Sequence, residues 1–121
     1  MEEAEGTVCQ HFQRAAEVLG RRWNPQIVRV LLVGPQRFGE IREAIPGISD
    51  HLLSERLKQL EAEGILRREV TDGRPVLIEY TLTPAGADLH GAIGALGAWA
   101  ERWATAEGVA QSRSAAGGRS R

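Results

Sequence analysis

The 121-residue chain carries a single cysteine, five prolines and few aromatics, 5% of all residues. With only Cys9, an intramolecular disulfide is excluded; a free thiol, a modified thiol or a bridge between two chains remains. Long apolar runs are missing too. None approaches the ~20 residues that span a bilayer, so no membrane partner is expected. Neither sign of charge is in excess: 15 Lys and Arg face 16 Asp and Glu, a formal net charge of −1. That balance counts against a strong nonspecific nucleic-acid binder. Placement matters more than the sum, however: Arg21, Arg22 and Arg37 lie inside the patterned region, whereas Glu2, Glu3 and Glu5 lie at a terminus. The chain also lacks a Gly-rich phosphate loop, a His-Glu-x-x-His pair, a paired-cysteine metal motif and a nucleophile elbow. Cys9, His11, His51 and His90 are its only cysteine and histidines. Cys9 and His11, two apart on one helix, would not face each other. No catalytic residue, metal or cofactor is therefore expected. The acidic start Met1-Glu2-Glu3-Ala4-Glu5 is the opposite of a signal peptide's basic one, and a cytoplasmic location is the expectation.

What is present is periodic. A first helix is predicted over 8–19, with Thr7 and Gln10 spaced as a capping box and Phe12, Ala15, Ala16 and Leu19 on one apolar face. Asn24-Pro25 predicts a second: Asn as N-cap, Pro at the first helical position, Trp23 and Val28 as a hydrophobic staple. Its buried candidates are Ile27, Val30, Leu31 and Leu32, and Gly34-Pro35 ends it. A short third helix covers 38–44, with Phe38, Ile41 and Ile45 inward. Pro46-Gly47 stops it. Ser49 caps a fourth over 49–63, whose Leu53, Leu57 and Leu60 face the core. His51, Glu55 and Lys58 then point outward, with Ser54 on the shoulder. Strands at 66–70 and 76–82 flank Thr71-Asp72-Gly73-Arg74-Pro75, where Asp-Gly signals a hairpin. Thr83-Pro84 opens a last helix to about residue 103, striped by Leu89, Ile93, Leu96, Trp99 and Trp103. Residues 105–121 are small and polar and are expected to form a disordered tail behind one domain over 1–104.

Two helices joined by a glycine-containing turn, then a hairpin, describe a winged helix-turn-helix, an α+β fold that is mainly α. Such a fold can lay its second helix in the major groove of DNA. The candidate DNA contacts are Ser49, Asp50, His51, Ser54, Glu55 and Lys58. Asp50 and Glu55 are unusual on a groove-facing helix. Either can accept from cytosine, hold a neighbouring arginine, or repel a wrong sequence. Arg22, Arg37 and Arg74 are phosphate or minor-groove candidates, or else plain surface ion pairs. Arg74, at the hairpin tip, has the best reach. Cys9 is either a small buried hydrophobe or, in the first helical turn, a thiol whose charged form the free N–H groups favour. Gly91, Gly94 and Gly97 weaken the last helix unless another helix approaches closely, so the first and last helices are candidate dimerisation elements.

Five ordered segments carry a family resemblance: Leu19-Gly20-Arg21-Arg22-Trp23-Asn24, Gly34-Pro35-Gln36-Arg37-Phe38-Gly39-Glu40-Ile41, Ile45-Pro46-Gly47-Ile48-Ser49, the run from Leu53 to Glu61, and Glu79-Tyr80-Thr81-Leu82-Thr83-Pro84-Ala85-Gly86. With them the chain resembles the HxlR-type winged helix-turn-helix transcription regulators, relatives of the MarR type. The resemblance implies a homodimer on a near-palindromic operator, acting as a repressor. The nearest likeness is to the branch that senses quinones, aldehydes and other thiol-reactive stress through a cysteine just before the first helix. Cys9 sits there, with Gln10 where the family has proline. The second, C-terminal cysteine of some members is missing, so an intersubunit bridge would join Cys9 to Cys9 of the partner. A small electrophile or an aromatic effector is the implied inducer. The other readings are a winged helix used only for protein–protein contact and a ligand-responsive regulator in which Cys9 has no redox role.

Overall fold

The computed structural model describes residues 6–117. They divide into two units, residues 6–89 and residues 90–117.

The first unit holds α1 (Gln10–Leu19), α2 (Asn24–Leu31), α3 (Phe38–Ala44), α4 (Asp50–Ala62), β1 (Leu66–Val70), β2 (Ile78–Leu82) and α5 (Pro84–Ala87). Its core is one cluster: Ile27 and Leu31 from α2, Ile41 and Ile45 from α3 and its end, Ile48 from the turn, Leu53, Leu57 and Leu60 from α4, and Leu66 from β1. The leucines of α4 fall at i, i+4 and i+7, so one stripe of the helix is anchored and the other is left outward. Each of these fully buried side chains contributes about 1.5–3 kcal/mol relative to exposure.

The helix-turn-helix forms as its residues dictate. Pro46 and Gly47 end α3, and Gly47 sits at φ 91°, which a side chain disfavours. Ser49 then caps α4, its Oγ accepting from the Leu52 N–H at 3.1 Å. The strands pair antiparallel, Leu66 opposite Leu82 and Val70 opposite Ile78. A third edge joins them: Gln36 and Tyr80 exchange both backbone hydrogen bonds, at 3.0 and 2.8 Å.

Several boundaries differ from expectation. The N-cap of α1 is Cys9, not Thr7; its extended backbone and Sγ, which accepts from the His11 N–H at 3.3 Å, do the capping. Phe12, on the apolar face of α1, is 65% exposed, and α1 has no fully buried residue. Trp23 is the N-cap of α2 in a left-handed conformation, φ 80°. Asn24 acts as a donor instead: nearly fully buried, it gives its Nδ2 hydrogen to the Val18 carbonyl at 2.7 Å. Val30 and Leu32 are only half-buried, and Val28 takes the place in the interior. The second strand starts at Ile78 rather than 76, because the Leu77 N–H is drawn to the Thr71 Oγ1 at 3.0 Å. The helix expected from 84 to 103 is two helices. Thr83 Oγ1 caps α5 through the Gly86 N–H, and Gly86 lies so close to the Ile65 carbonyl that any Cβ would collide with it. The chain turns at Asp88 and Leu89 before the next helix.

The second unit is α6 (His90–Trp103) and α7 (Ala106–Gly117). α7 occupies the segment for which composition predicts disorder. Its start is specified by Thr105, whose Oγ1 accepts from the Gly108 N–H at 2.9 Å. Its alanines then favour helix at no side-chain entropy cost. Residues 118–121, the rest of the expected tail, lie outside the described residues. No helix among the described residues is long and apolar enough to cross a membrane.

Candidate nucleic-acid interface

The outward stripe of α4 begins at its cap. Ser49 has its hydroxyl committed to the Leu52 N–H. His51 is open to solvent, with 85% of its side chain accessible and its Nε2 3.8 Å from Glu55 Oε2. Ser54 is half-buried on the shoulder, and Lys58 is exposed with no ion pair among the described residues. Arg74 projects from the loop between β1 and β2 and is likewise exposed and without an ion pair among those residues. These three, His51, Lys58 and Arg74, keep donors available for an incoming ligand.

The two acidic candidates are differently engaged. Asp50 accepts from Arg42 Nη1 with both carboxylate oxygens, at 3.2 and 3.3 Å. Of the three roles open to Asp50 on sequence grounds, holding a neighbouring arginine is the one with a partner in place. Glu55 lies 3.3 Å from Arg56 Nη1 as well as near His51. Arg56 is well covered. Its Nε donates to the Arg22 carbonyl at 3.0 Å, so it fastens α4 to the segment before α2. Arg22 stacks its guanidinium on the Trp23 ring, 4.7 Å from the centroid. Arg37 precedes α3; Glu40 Oε1 accepts from its backbone N–H at 2.7 Å and lies 3.8 Å from its Nε.

Three of these pairings escape sequence reasoning. Arg42 and Asp50 are eight residues apart and meet only because the turn folds α3 against α4. Arg56 looks like a solvated position until the loop before α2 is placed. Arg14 on α1 reaches Glu63, the C-cap of α4, at 2.9 Å. This bridge ties the first helix to the far end of the fourth. No local pattern carries such contacts.

Cys9 is half-buried. Its Sγ lies 3.8 Å from His11 Nδ1, although positions two apart on a helix point away from each other. The geometry differs because Cys9 is not helical: as a cap it folds its side chain back over the first turn. Among the described residues no three of His, Cys, Asp and Glu are arranged to hold a metal ion.

The same architecture recurs in known proteins. The family described as HxlR-like helix-turn-helix matches residues 18–108. The uncharacterized HTH-type transcriptional regulator YvaP of Bacillus subtilis is 44% identical over 99 residues, covering 82% of this chain and 92% of that protein. The HTH-type transcriptional regulator YodB of Bacillus subtilis is 44% identical over 97 residues, covering 80% and 87%. The reduced form of YodB superimposes with a TM-score of 0.72 over 80% of this chain and 95% of that one. A quinone-bound form of YodB has the same fold, with a TM-score of 0.67 over 78% and 98% of the two chains. The redox regulator HypR in its reduced form, 32% identical, has a TM-score of 0.71 over 76% of this chain and 91% of its own. A second helix anchored on one stripe, a wing beside it and relatives named as transcriptional regulators over about four fifths of the chain lead to one conclusion: this chain belongs to the HxlR-like helix-turn-helix family of DNA-binding transcriptional regulators.

Proposed function

We propose that the protein is a homodimeric repressor that reads a near-palindromic operator and is released when Cys9 is modified. The observation that carries the reading is the division of α4 into a buried stripe of Leu53, Leu57 and Leu60 and an outward stripe with His51 and Lys58 exposed. Each subunit lays α4 in one major groove, about 34–36 Å from its twin along the duplex. His51 and Ser54 meet base edges, Lys58 meets guanine or a phosphate, and Arg74 enters the neighbouring minor groove. Arg22 and Arg37 take phosphates, Ser49 holds the helix start, and Asp50 and Glu55 discriminate by what they repel or orient.

Dimerisation is assigned to α1 and α6. In support, no residue of α1 is fully buried, only its end at Val18 packs on the core, and a Cβ added at Gly91 or Gly94 of α6 would meet no atom within 4 Å beyond its own helix. Helices with uncovered apolar or small residues suit contact with a second copy.

The sensing step is motivated by Cys9 and by the redox relatives. The sulfur adds to a ring carbon of the quinone: a C–S bond forms as the conjugated C=C π bond breaks, its electrons pass to a carbonyl oxygen that takes the thiol proton, and the hydrogen of the attacked carbon moves to the other oxygen, leaving a hydroquinone thioether. The bulky adduct disturbs a cap that now serves the His11 N–H, and α1 shifts. Because Arg14 of α1 grips Glu63 at the end of α4, the shift is passed to the reading helix. A thiol oxidant such as diamide, taking two hydrogens, would instead join Cys9 to the partner's Cys9.

The test is a gel shift with the protein's own upstream DNA at rising salt, with and without a quinone. Retarded DNA whose binding weakens as salt rises is expected, since counterions are released on contact. An absence of any DNA complex would sink the reading in favour of a winged helix used for protein contact. A quinone response that persists in Cys9→Ser would remove the sensor and leave a ligand-responsive regulator.

A further inference from the structure

One face of α2 opens onto a groove of about 630 Å³, within the range of small-molecule sites. Trp23, Val30 and Val33 follow one another along that face and form an apolar floor. Val33 is 85% exposed, the least covered large apolar side chain among the described residues. Opposite stand Ile45 and Pro46, from the turn that precedes α4. The polar lining is sparse and of one charge: Arg29 is its only ionisable side chain, and no carboxylate lines the groove. Arg29 also has no ion pair among the described residues. An apolar floor with one unpaired guanidinium is complementary to an anion with a hydrocarbon body.

The position of the groove gives such binding a consequence. Ile45 and Pro46 lead into Gly47, Ile48 and the cap of α4, with the Ile48 N–H on the Ile45 carbonyl at 3.4 Å. Gln36, also in the lining, is the residue whose backbone pairs with Tyr80 of β2. The groove therefore touches the roots of both the reading helix and the wing.

We propose that this groove is an effector site for a small apolar carboxylic acid, held by its hydrocarbon body on Trp23, Val30 and Val33 and by its carboxylate on Arg29. Occupancy changes operator affinity through the turn at Ile45 and Pro46 and through Gln36. The binding half stands by itself; the coupling half rests on the DNA reading proposed above. The site is separate from Cys9 and needs no thiol chemistry.

The probe is 4-phenylbutyrate, with 4-phenylbutyramide as its uncharged counterpart, titrated calorimetrically into the full chain without DNA. Saturable binding at one acid per chain is expected, with the amide weaker by about tenfold, the worth of a charged hydrogen bond. Arg29→Ala should weaken the acid by about the same factor and leave the amide unchanged, with Arg29→Lys restoring part of the loss. Val33→Asp, at an exposed position, should abolish binding of the acid with the urea midpoint unmoved. Equal affinities for acid and amide, or an acid indifferent to Arg29 and Val33, would overturn the site. So would an absence of binding, the result expected if a second copy of the chain fills the groove. The coupling is read by the gel shift in Cys9→Ser. A severalfold change in operator affinity at saturating acid supports it, and no change overturns it. Failure of the unliganded protein to bind DNA would refute the proposed function while the calorimetry still judged the site.

Discussion

Helices α1 and α4 carry similar apolar periodicity and end up in opposite situations. In α4, Leu53, Leu57 and Leu60 are sealed in the core; in α1, Phe12 stands in the open and no residue is fully buried. A repeat of three and four residues announces that a face will be covered, without saying by what. For α4 the cover is the chain's own α2, α3 and β1. For α1 the uncovered face fits the proposed second subunit. The contrast teaches that amphipathicity marks a face without fixing whether the chain itself covers it.

The sharpest way to break the comparison is to cut one anchor from each helix. Leu57→Ala should cost about 2–5 kcal/mol in urea unfolding, the usual cost of a core cavity. Phe12→Ala should leave the unfolding free energy of the dilute chain within about 0.5 kcal/mol. Its effect should appear as a weaker dimer by analytical ultracentrifugation. If both cost the same in the dilute chain, α1 is part of the subunit's own core and the dimer assignment falls.

Next in size is the outward stripe of α4. Lys58→Ala with Arg74→Ala should weaken operator binding by tenfold or more and lower the salt slope by about one for each phosphate no longer neutralised. Unchanged affinity would put the DNA on another surface. Cys9→Ser should keep operator binding within about twofold, because serine is itself a favoured N-cap, and should abolish the electrophile response. The smallest effect is expected from Asp50→Asn. Removing one negative charge and freeing Arg42 should raise nonspecific DNA binding severalfold at low salt and leave no difference at high salt. A fall in binding would mean that Asp50 is needed to aim Arg42.

Much of the first unit was legible in the sequence because its signals are local. The short helix expected over 38–44 and stopped by Pro46-Gly47 is α3, with those limits. Ser49 and the leucines of α4 behave as their spacing predicts. Where two local signals competed, the choice went astray. Thr7 and Cys9 both precede the first helix, and the thiol became the cap. Thr83-Pro84 correctly opens a helix, but the contact of Gly86 with the Ile65 carbonyl accompanies a turn that periodicity alone runs straight through. In the tail, composition outweighed the cap offered by Thr105.

For the candidate interface, residue type and face were readable, whereas engagement was not. The outward direction of His51 and Lys58 follows from 100° per residue and needs no tertiary structure. That Asp50 is held by Arg42, that Arg56 is locked to the Arg22 carbonyl, and that Arg14 joins Glu63 depend on which helices become neighbours.

By itself, then, the order of residues determined that helices lie near 10–19, 24–31, 38–44 and 50–62 with strands after them, which stripe of each is apolar and which family the chain resembles. All of these are set by interactions within a few positions. Only the tertiary structure decided which charged groups are already paired across helices and which apolar stripe stays uncovered. Those outcomes depend on distances between segments remote in sequence, and packing of the whole chain sets them.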